Sequence, residues 1–301
     1  MYFDIKQNCK ICSSEQIPVK NFIAYLKMSD RDNIKCANEN LVKIVDMYKE
    51  LPYTRAEFFD GVLYGSIFIP MLLNHEDIHI IFVMDKEKLY LISTSDIIEQ
   101  KLISSIKLRH DNMTDPGTVL YYFFEQLIDD DLEKINVIQD NLSQLESHIF
   151  ENLDDNYSKK LTGFRCKTLQ LSHYYMQFSA LSALLSEDTY KYFNKRQLEL
   201  FSSLSNRIML LKNEADQLWD YTLQVREIYQ EQLGVRQNEI MKFFTMITTL
   251  FFPLSLITGW YGMNFEHMPE IKGEYSYFIL MVVSLLIIII LCIWFKKKSY
   301  W

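Results

Sequence analysis

From Lys195 to Phe252 the sequence contains no proline and a single glycine, Gly234. That scarcity excludes the chain reversals those residues make and leaves one helical pattern running unbroken into an apolar stretch. A basic excess is missing too. The formal net charge is −8, which argues against a nucleic-acid partner and suits a domain that attracts cations. No G-x-x-x-x-G-K-[ST] loop occurs, so no direct coupling to ATP is visible. Cysteine is sparse and odd in number, at Cys9, Cys12, Cys36, Cys166 and Cys292, which predicts reduced, structural thiols. Cys9-Lys10-Ile11-Cys12 has no second Cys or His pair at a useful spacing, so a structural role is favoured over a zinc or redox site. The start, Met1-Tyr2-Phe3-Asp4-Ile5-Lys6, lacks a basic segment followed by an apolar one, and no signal peptide is expected.

Two apolar runs of membrane length are present, both after residue 240. A spanning helix needs about 20 mostly apolar residues; Phe243–Tyr261 and Tyr277–Phe295 qualify. Arg236 and Lys242 precede the first run and Lys296-Lys297-Lys298 follows the second. The connecting loop carries Glu266, Glu270 and Glu274 against Lys272 alone. The positive-inside rule then places both termini in the cytoplasm and the loop outside. The expected protein is multi-pass, in the cell (inner or plasma) membrane.

Upstream, residues 1–112 read as an α/β domain. Ser66–Ile69, Ile78–Val83 and Leu89–Ile92 are β-branched and aromatic. Pro70 should end the first of these strands or confine it to a sheet edge, Asn74–Asp77 and Asp85–Lys88 look like hairpin connections, and Asn40–Lys49 has helical spacing. Thr114-Asp115-Pro116 supplies a cap and a first-turn proline. Beyond it, apolar residues from Leu120 to Ile149 recur mostly at three- and four-residue steps, and a second helical pattern covers about Tyr157–Leu185. The predicted organisation is 1–112 α/β, 113–193 helical hairpin, 194–261 stalk helix continuing into the first span, 262–276 external loop, 277–295 second span and 296–301 basic tail. A continuous third helix of about 60 residues would be roughly 90 Å long and would need neighbours for support.

Projected on a seven-residue repeat, one face of that helix collects Asp220, Gln224, Glu227, Glu231, Gly234, Asn238, Met241, Thr245, Thr248, Phe252, Ser255, Gly259 and Gly262. Within the span this face is small, hydroxylated or amide-bearing except at Met241 and Phe252. The adjacent face, Leu233, Ile240, Phe244, Ile247, Phe251 and Leu254, is wholly apolar. Small residues also let helices approach closely, so helix packing and a conduit formed by several copies are both open on the span alone. Glu227 and Glu231 continue the stripe as carboxylates and favour the conduit, with Met241 and Phe252 as apolar rings able to dewet it.

Between the spans stands Trp260-Tyr261-Gly262-Met263-Asn264-Phe265. Backbone carbonyls and an amide at a membrane face can meet an ion there. Mg2+ keeps several of its waters, and a ring of Asn264 amides and Gly262 carbonyls can bond to that shell without stripping it. Asn238 could do the same at the inner end. No intramembrane charge is needed, which spares its cost.

Arg236–Lys242, Phe252-Pro253-Leu254, Tyr261–Phe265 and Met268-Pro269-Glu270 together resemble the CorA family of divalent-cation channels, with looser similarity over Pro116–Phe150. The Gly-Met-Asn signature followed by Pro-Glu between two terminal spans is highly specific. The resemblance implies a homopentamer with an α/β cytoplasmic funnel, a long stalk helix and an all-α membrane part with two C-terminal transmembrane helices. It implies a selectivity filter at Gly262, Met263 and Asn264. Asn238, Met241, Phe244, Phe252 and Ser255 match the family's pore-lining or gating positions, and Glu227 matches an acidic site lower in the pore. Phe244 and Phe252 stand where bulky aliphatic or thioether groups are common, and the repeat above leaves Phe244 off the pore face. Thr245, Thr248, Gly259 and Glu231 join the pore set from the stripe. The resemblance further implies closure by cytosolic Mg2+ bound between funnel domains, for which Asp85 and Asp96 are candidates without a motif. It points to Mg2+ transport, with Co2+ and Ni2+ as lesser substrates, and to a related branch that carries Zn2+.

His75-Glu76-Asp77-Ile78-His79 matches H-E-x-x-H, which needs a helix to place both histidines on one face. It opens into a predicted strand and is set aside as chance. Asp129-Asp130-Asp131 reads as a solvated helix face. The resulting expectation is a Mg2+ channel with no cofactor beyond the transported and regulatory ion, and not an enzyme. Its expected partners are copies of itself, the lipid bilayer and divalent cations. The competing reading is a membrane-tethered oligomeric sensor or scaffold without transport.

Overall fold

The computed structural model describes residues 1–5, 10–12, 20–49, 52–74, 76–109, 113–151, 156–187, 191–263, 273 and 275–298. They fall into two compact units, Met1–Arg226 and Glu227–Trp301.

In the first unit a mixed sheet is built from β1 (Tyr2–Asp4), β2 (Lys10–Cys12), β3 (Phe22–Lys27), β4 (Arg55–Phe59), β5 (Val62–Ile69), β6 (Ile78–Met84) and β7 (Lys88–Ser93). Its order is β2-β1-β3-β7-β6-β5-β4. Among the described strands only β3 and β7 pair in parallel, with Phe22 opposite Lys88 and Lys27 opposite Ser93. β5 stops at Ile69, before Pro70, whose missing N–H cannot serve the ladder. Gly65 lies opposite Phe82. A Cβ at that glycine would sit 2.1 Å from the Phe82 ring, so the ring takes the space a side chain would fill.

Helices α1 (Arg31–Ala37) and α2 (Glu39–Tyr48) pack on one part of the sheet, with Ile34, Leu41 and Val45 buried against Ala24 and Ile92. The short α3 (Met71–Asn74) lies between the antiparallel β5 and β6, ahead of the stretch Asn74–Asp77 expected as their hairpin connection. α4 (Asp96–Arg109) leads to α5 (Pro116–Leu127), whose residues are almost all buried. Asp115 caps α5 by accepting from Thr118 N at 2.8 Å, with Pro116 in the first turn, where its missing N–H costs nothing. Phe124 bridges sheet and helices, its ring 5.5 Å from Phe82 and 5.8 Å from Phe178.

α6 (Asp131–Glu151) and α7 (Asn156–Glu187) follow. α8 (Lys195–Tyr261) begins in the first unit and ends in the second. A reciprocal capping box starts it. Asn194 Oδ1 accepts from Gln197 N at 2.9 Å, and Gln197 Oε1 accepts from Asn194 N at 2.8 Å, which satisfies two orphan amides at once. Gln197 Nε2 also donates to Asp115 Oδ1 at 2.5 Å, tying the start of α8 to the start of α5. Within the first unit α8 buries Gln197, Phe201, Leu204, Ile208, Leu211, Ala215, Leu218, Thr222 and Val225, a seam at alternating four- and three-residue steps. Hydroxyls join the seam, with Ser182 Oγ 3.3 Å from Ser205 Oγ and Thr168 Oγ1 3.4 Å from Thr222 Oγ1.

The acidic run 129–131 departs from the expected solvated face. Asp129 and Asp130 are exposed and pair with Arg207 and Lys101. Asp131 is buried, accepts from the Tyr175 hydroxyl at 2.9 Å and pairs with Lys134 at 3.2 Å. Tyr175 is 44 residues away, so only the folded bundle supplies that partner.

In the second unit the end of α8 is accompanied by α9 (Ser276–Lys297).

Candidate functional site

Two described helices, α8 and α9, contain apolar stretches long enough to cross a membrane. None of the apolar window of α8 is buried within the chain, and 6% of that of α9 is. A single copy therefore leaves this surface to lipid or to other copies. Threonines in the α8 span satisfy their own donors locally: Thr245 Oγ1 donates to Met241 O at 2.8 Å, Thr248 Oγ1 to Phe244 O at 2.8 Å and Thr249 Oγ1 to Thr245 O at 2.7 Å. The hydroxyl protons are thus engaged with backbone, and the oxygens offer lone pairs outward. Pro253 lies inside the helix. Lacking an N–H, it leaves the Thr249 carbonyl without its intrahelical partner.

The α9-facing side of α8 is marked by the residues that share cavities with α9: Phe243, Met246, Ile247 and Leu250 near one end, Ile257 and Tyr261 near the other. At about 100° per residue, Asn238, Met241, Thr245, Phe252 and Gly259 lie roughly opposite that side, with Thr248 and Ser255 beside them. Met241 and Phe252 are 59% and 68% exposed. Phe244 is one residue beyond Phe243, about 100° round the helix, and so sits on a flank between the two faces. Glu227 and Glu231 are exposed on the same polar side, at the start of the second unit.

At its end α8 closes with Gly262 N donating to Thr258 O at 2.9 Å and Met263 N to Trp260 O at 3.4 Å. A Cβ on Gly262 would stand 2.9 Å from the Thr258 carbonyl oxygen, so the turn that presents Met263 needs glycine there. Asn264 lies outside the described residues, as do Phe265 and the loop acids Glu266, Glu270 and Glu274.

The other candidates are accounted for locally. Asp85 Oδ1 accepts from Glu87 N and Lys88 N, each at 2.7 Å, holding the β6–β7 turn. Asp96 pairs with Lys27 at 2.7 Å. Among the described residues no three His, Cys, Asp or Glu side chains are grouped to hold a metal. His75 and Cys9 lie outside the described residues. His79 is on β6, its ring 4.8 Å from Phe68, and Glu76 accepts from the Ser95 hydroxyl. The H-E-x-x-H letters therefore run into a strand, away from the single helical face zinc would need.

Residues 29–297 match the family described as CorA-like Mg2+ transporter protein. The chain belongs to that family. Among its curated relatives, the cobalt/magnesium transport protein CorA of Thermotoga maritima is 25% identical over 182 residues, 60% of this chain and 52% of that protein. The magnesium transport protein CorA of Helicobacter pylori is 27% identical over 213 residues, 68% of this chain and 64% of that protein. The matched part thus spans about half to just under two thirds of these relatives. The complete CorA magnesium transporter from Methanocaldococcus jannaschii shares the fold, with a TM-score of 0.80 and 18% identity over 97% of this chain and 94% of that one. The α/β domain, long helix and two apolar C-terminal helices are the CorA architecture.

Proposed function

We propose that this chain forms a homopentameric channel for divalent cations in the cell membrane, carrying Mg2+ inward, with Co2+ and Ni2+ as lesser substrates. The supporting observation is the acceptor-lined face of α8, opposite the side that meets α9. Copies arranged with α9 outward bring Asn238, Thr245, Thr248 and Ser255 to a common axis. The waters around a Mg2+ ion point their hydrogens outward and need acceptors. Threonine oxygens whose protons are already donated to the helix offer only lone pairs, so the lining suits a hydrated cation.

Gly262, Met263 and Asn264 form the filter at the outer mouth, where the Asn264 amide and Gly262 carbonyl contact the hydration shell. Met241 and Phe252 are the constrictions at which the path dewets, with Phe244 flanking them. Glu227 and Glu231 concentrate cations at the cytosolic end. Both termini are cytoplasmic. Inward transport is driven by the membrane potential, since a divalent ion gains about 4.6 kcal/mol per 100 mV, and cytosolic Mg2+ bound between neighbouring copies closes the path.

The test is uptake by proteoliposomes holding the full-length protein under an imposed inside-negative potential, with Mg2+, Co2+ and Zn2+ in competition. Potential-dependent Mg2+ uptake blocked by excess Co2+ supports the proposal. Zn2+ uptake alone would assign the chain to a zinc-carrying branch, and no uptake of any ion by assembled protein would make it a tether.

A further inference from the structure

We propose that the groove between α8 and α9 at their lysine-bearing ends binds one anionic phospholipid, its acyl chain in the groove and its phosphate against the lysines. The groove, about 180 Å3, is lined by Phe243, Met246, Ile247 and Leu250 of α8 and by Cys292 and Phe295 of α9. Its lining is apolar and unbranched or aromatic at most positions, a shape that accepts a flexible hydrocarbon chain.

Charge identifies the occupant. Lys242 directly precedes Phe243, and Lys296 directly follows Phe295, so the basic residues stand at the rim. Lys297 and Lys298 extend the cluster, and Arg236 is two turns earlier on α8. All five are exposed, and none is in an ion pair among the described residues. Of the acids on α8, Glu239 falls within this stretch and Glu231 precedes Arg236 by five residues. Lys298 Nζ lies 5.2 Å from the Trp294 ring, and indoles favour the level of the headgroups. Basic pockets between membrane helices attract anionic headgroups by this combination of charge and depth. A free phosphate would gain nothing from the apolar slot, which commits the site to a lipid.

This inference rests on α8 and α9 being membrane spans, and the experiment separates the two. Full-length protein is placed in phosphatidylcholine vesicles doped with spin-labelled phosphatidylglycerol or spin-labelled phosphatidylcholine, and the immobilised fraction is measured. The expected result is preferential immobilisation of phosphatidylglycerol at low salt. That preference should fall about fivefold for each of Lys296, Lys297 and Lys298 changed to Gln and should weaken in high salt. Leu250→Trp, which fills the slot, should abolish the preference with all lysines in place. Cys292→Trp makes the same test from α9 should the first variant not insert. Equal immobilisation of both lipids overturns the site, and so does wild-type preference in both tryptophan variants, which would place the lipid at the lysines alone. Protein that does not float with the vesicles overturns the spans themselves.

Discussion

Thr245 donates its hydroxyl proton to the carbonyl oxygen of Met241, one turn earlier, at 2.8 Å. That bond turns a side chain able to donate or accept into one that only accepts. Thr245→Ser keeps both the bond and the lone pairs, whereas Thr245→Val keeps the shape and removes them. Mg2+ uptake should be near normal for Ser and about fivefold lower for Val, the worth of roughly one hydrogen bond of about 1 kcal/mol. The double variant with Thr248→Val should be lower still. Uptake by Val equal to that by Ser would contradict an acceptor-lined path.

Gly262 tolerates its place only because it lacks a Cβ, which would stand 2.9 Å from the Thr258 oxygen. Gly262→Ala should displace the turn carrying Met263 and reduce uptake by about tenfold or more, since a change of about 1.4 kcal/mol is already tenfold. Gly234→Ala is the control. Nothing lies within 4 Å of its Cβ position, and assembly and uptake should both persist.

Asp115 serves two helix starts, capping α5 and accepting from Gln197 of the α8 capping box. Asp115→Ala should destabilise the first unit by about 0.5–2 kcal/mol for the cap and further for the stranded amide of Gln197. Gln197→Ala in the Asp115→Ala background should cost less than Gln197→Ala alone, because the shared bond is already gone. Thermal unfolding of the four full-length proteins in detergent measures the coupling.

Burial raises the Asp131 carboxyl above its ordinary 3.8, against the opposing pull of Lys134 and the Tyr175 hydroxyl. The folded state therefore holds that proton more tightly than the unfolded chain does. Its contribution to stability is fully present below the ordinary value and is lost as pH rises through the raised one. Asp131→Asn removes the titration. The wild type should gain stability relative to Asp131→Asn as pH is lowered through the raised value, and a pH-independent difference would contradict the assignment.

The strands β5, β6 and β7, the Asp115 cap, the long α8 and the apolar α9 could be read from periodicity and turn chemistry alone. β3 could not. Phe22, Ile23, Ala24, Tyr25 and Leu26 are all buried, so no alternation marks them, and the parallel partner β7 is remote in sequence. The break between α5 and α6 at Ile128–Asp130 was hidden because apolar residues keep their three- and four-residue steps across it. The start of α8, placed at 194 from the sequence, falls at Lys195, and the capping signal in Asn194-Lys195-Arg196-Gln197 accounts for it. The burial of Asp131 had none, since a run of aspartates normally faces water and its tyrosine partner is on another helix. On α8 the polar stripe was visible in sequence, but the side facing α9 was not, and only the two together put Phe244 on a flank.

Asn264→Ala is the most direct test of the central claim that identical copies present an amide collar to a hydrated cation. Mg2+ uptake into proteoliposomes under an inside-negative potential should collapse, while membrane insertion and oligomer size match the wild type. Uptake at the wild-type rate by correctly assembled Asn264→Ala protein would contradict it.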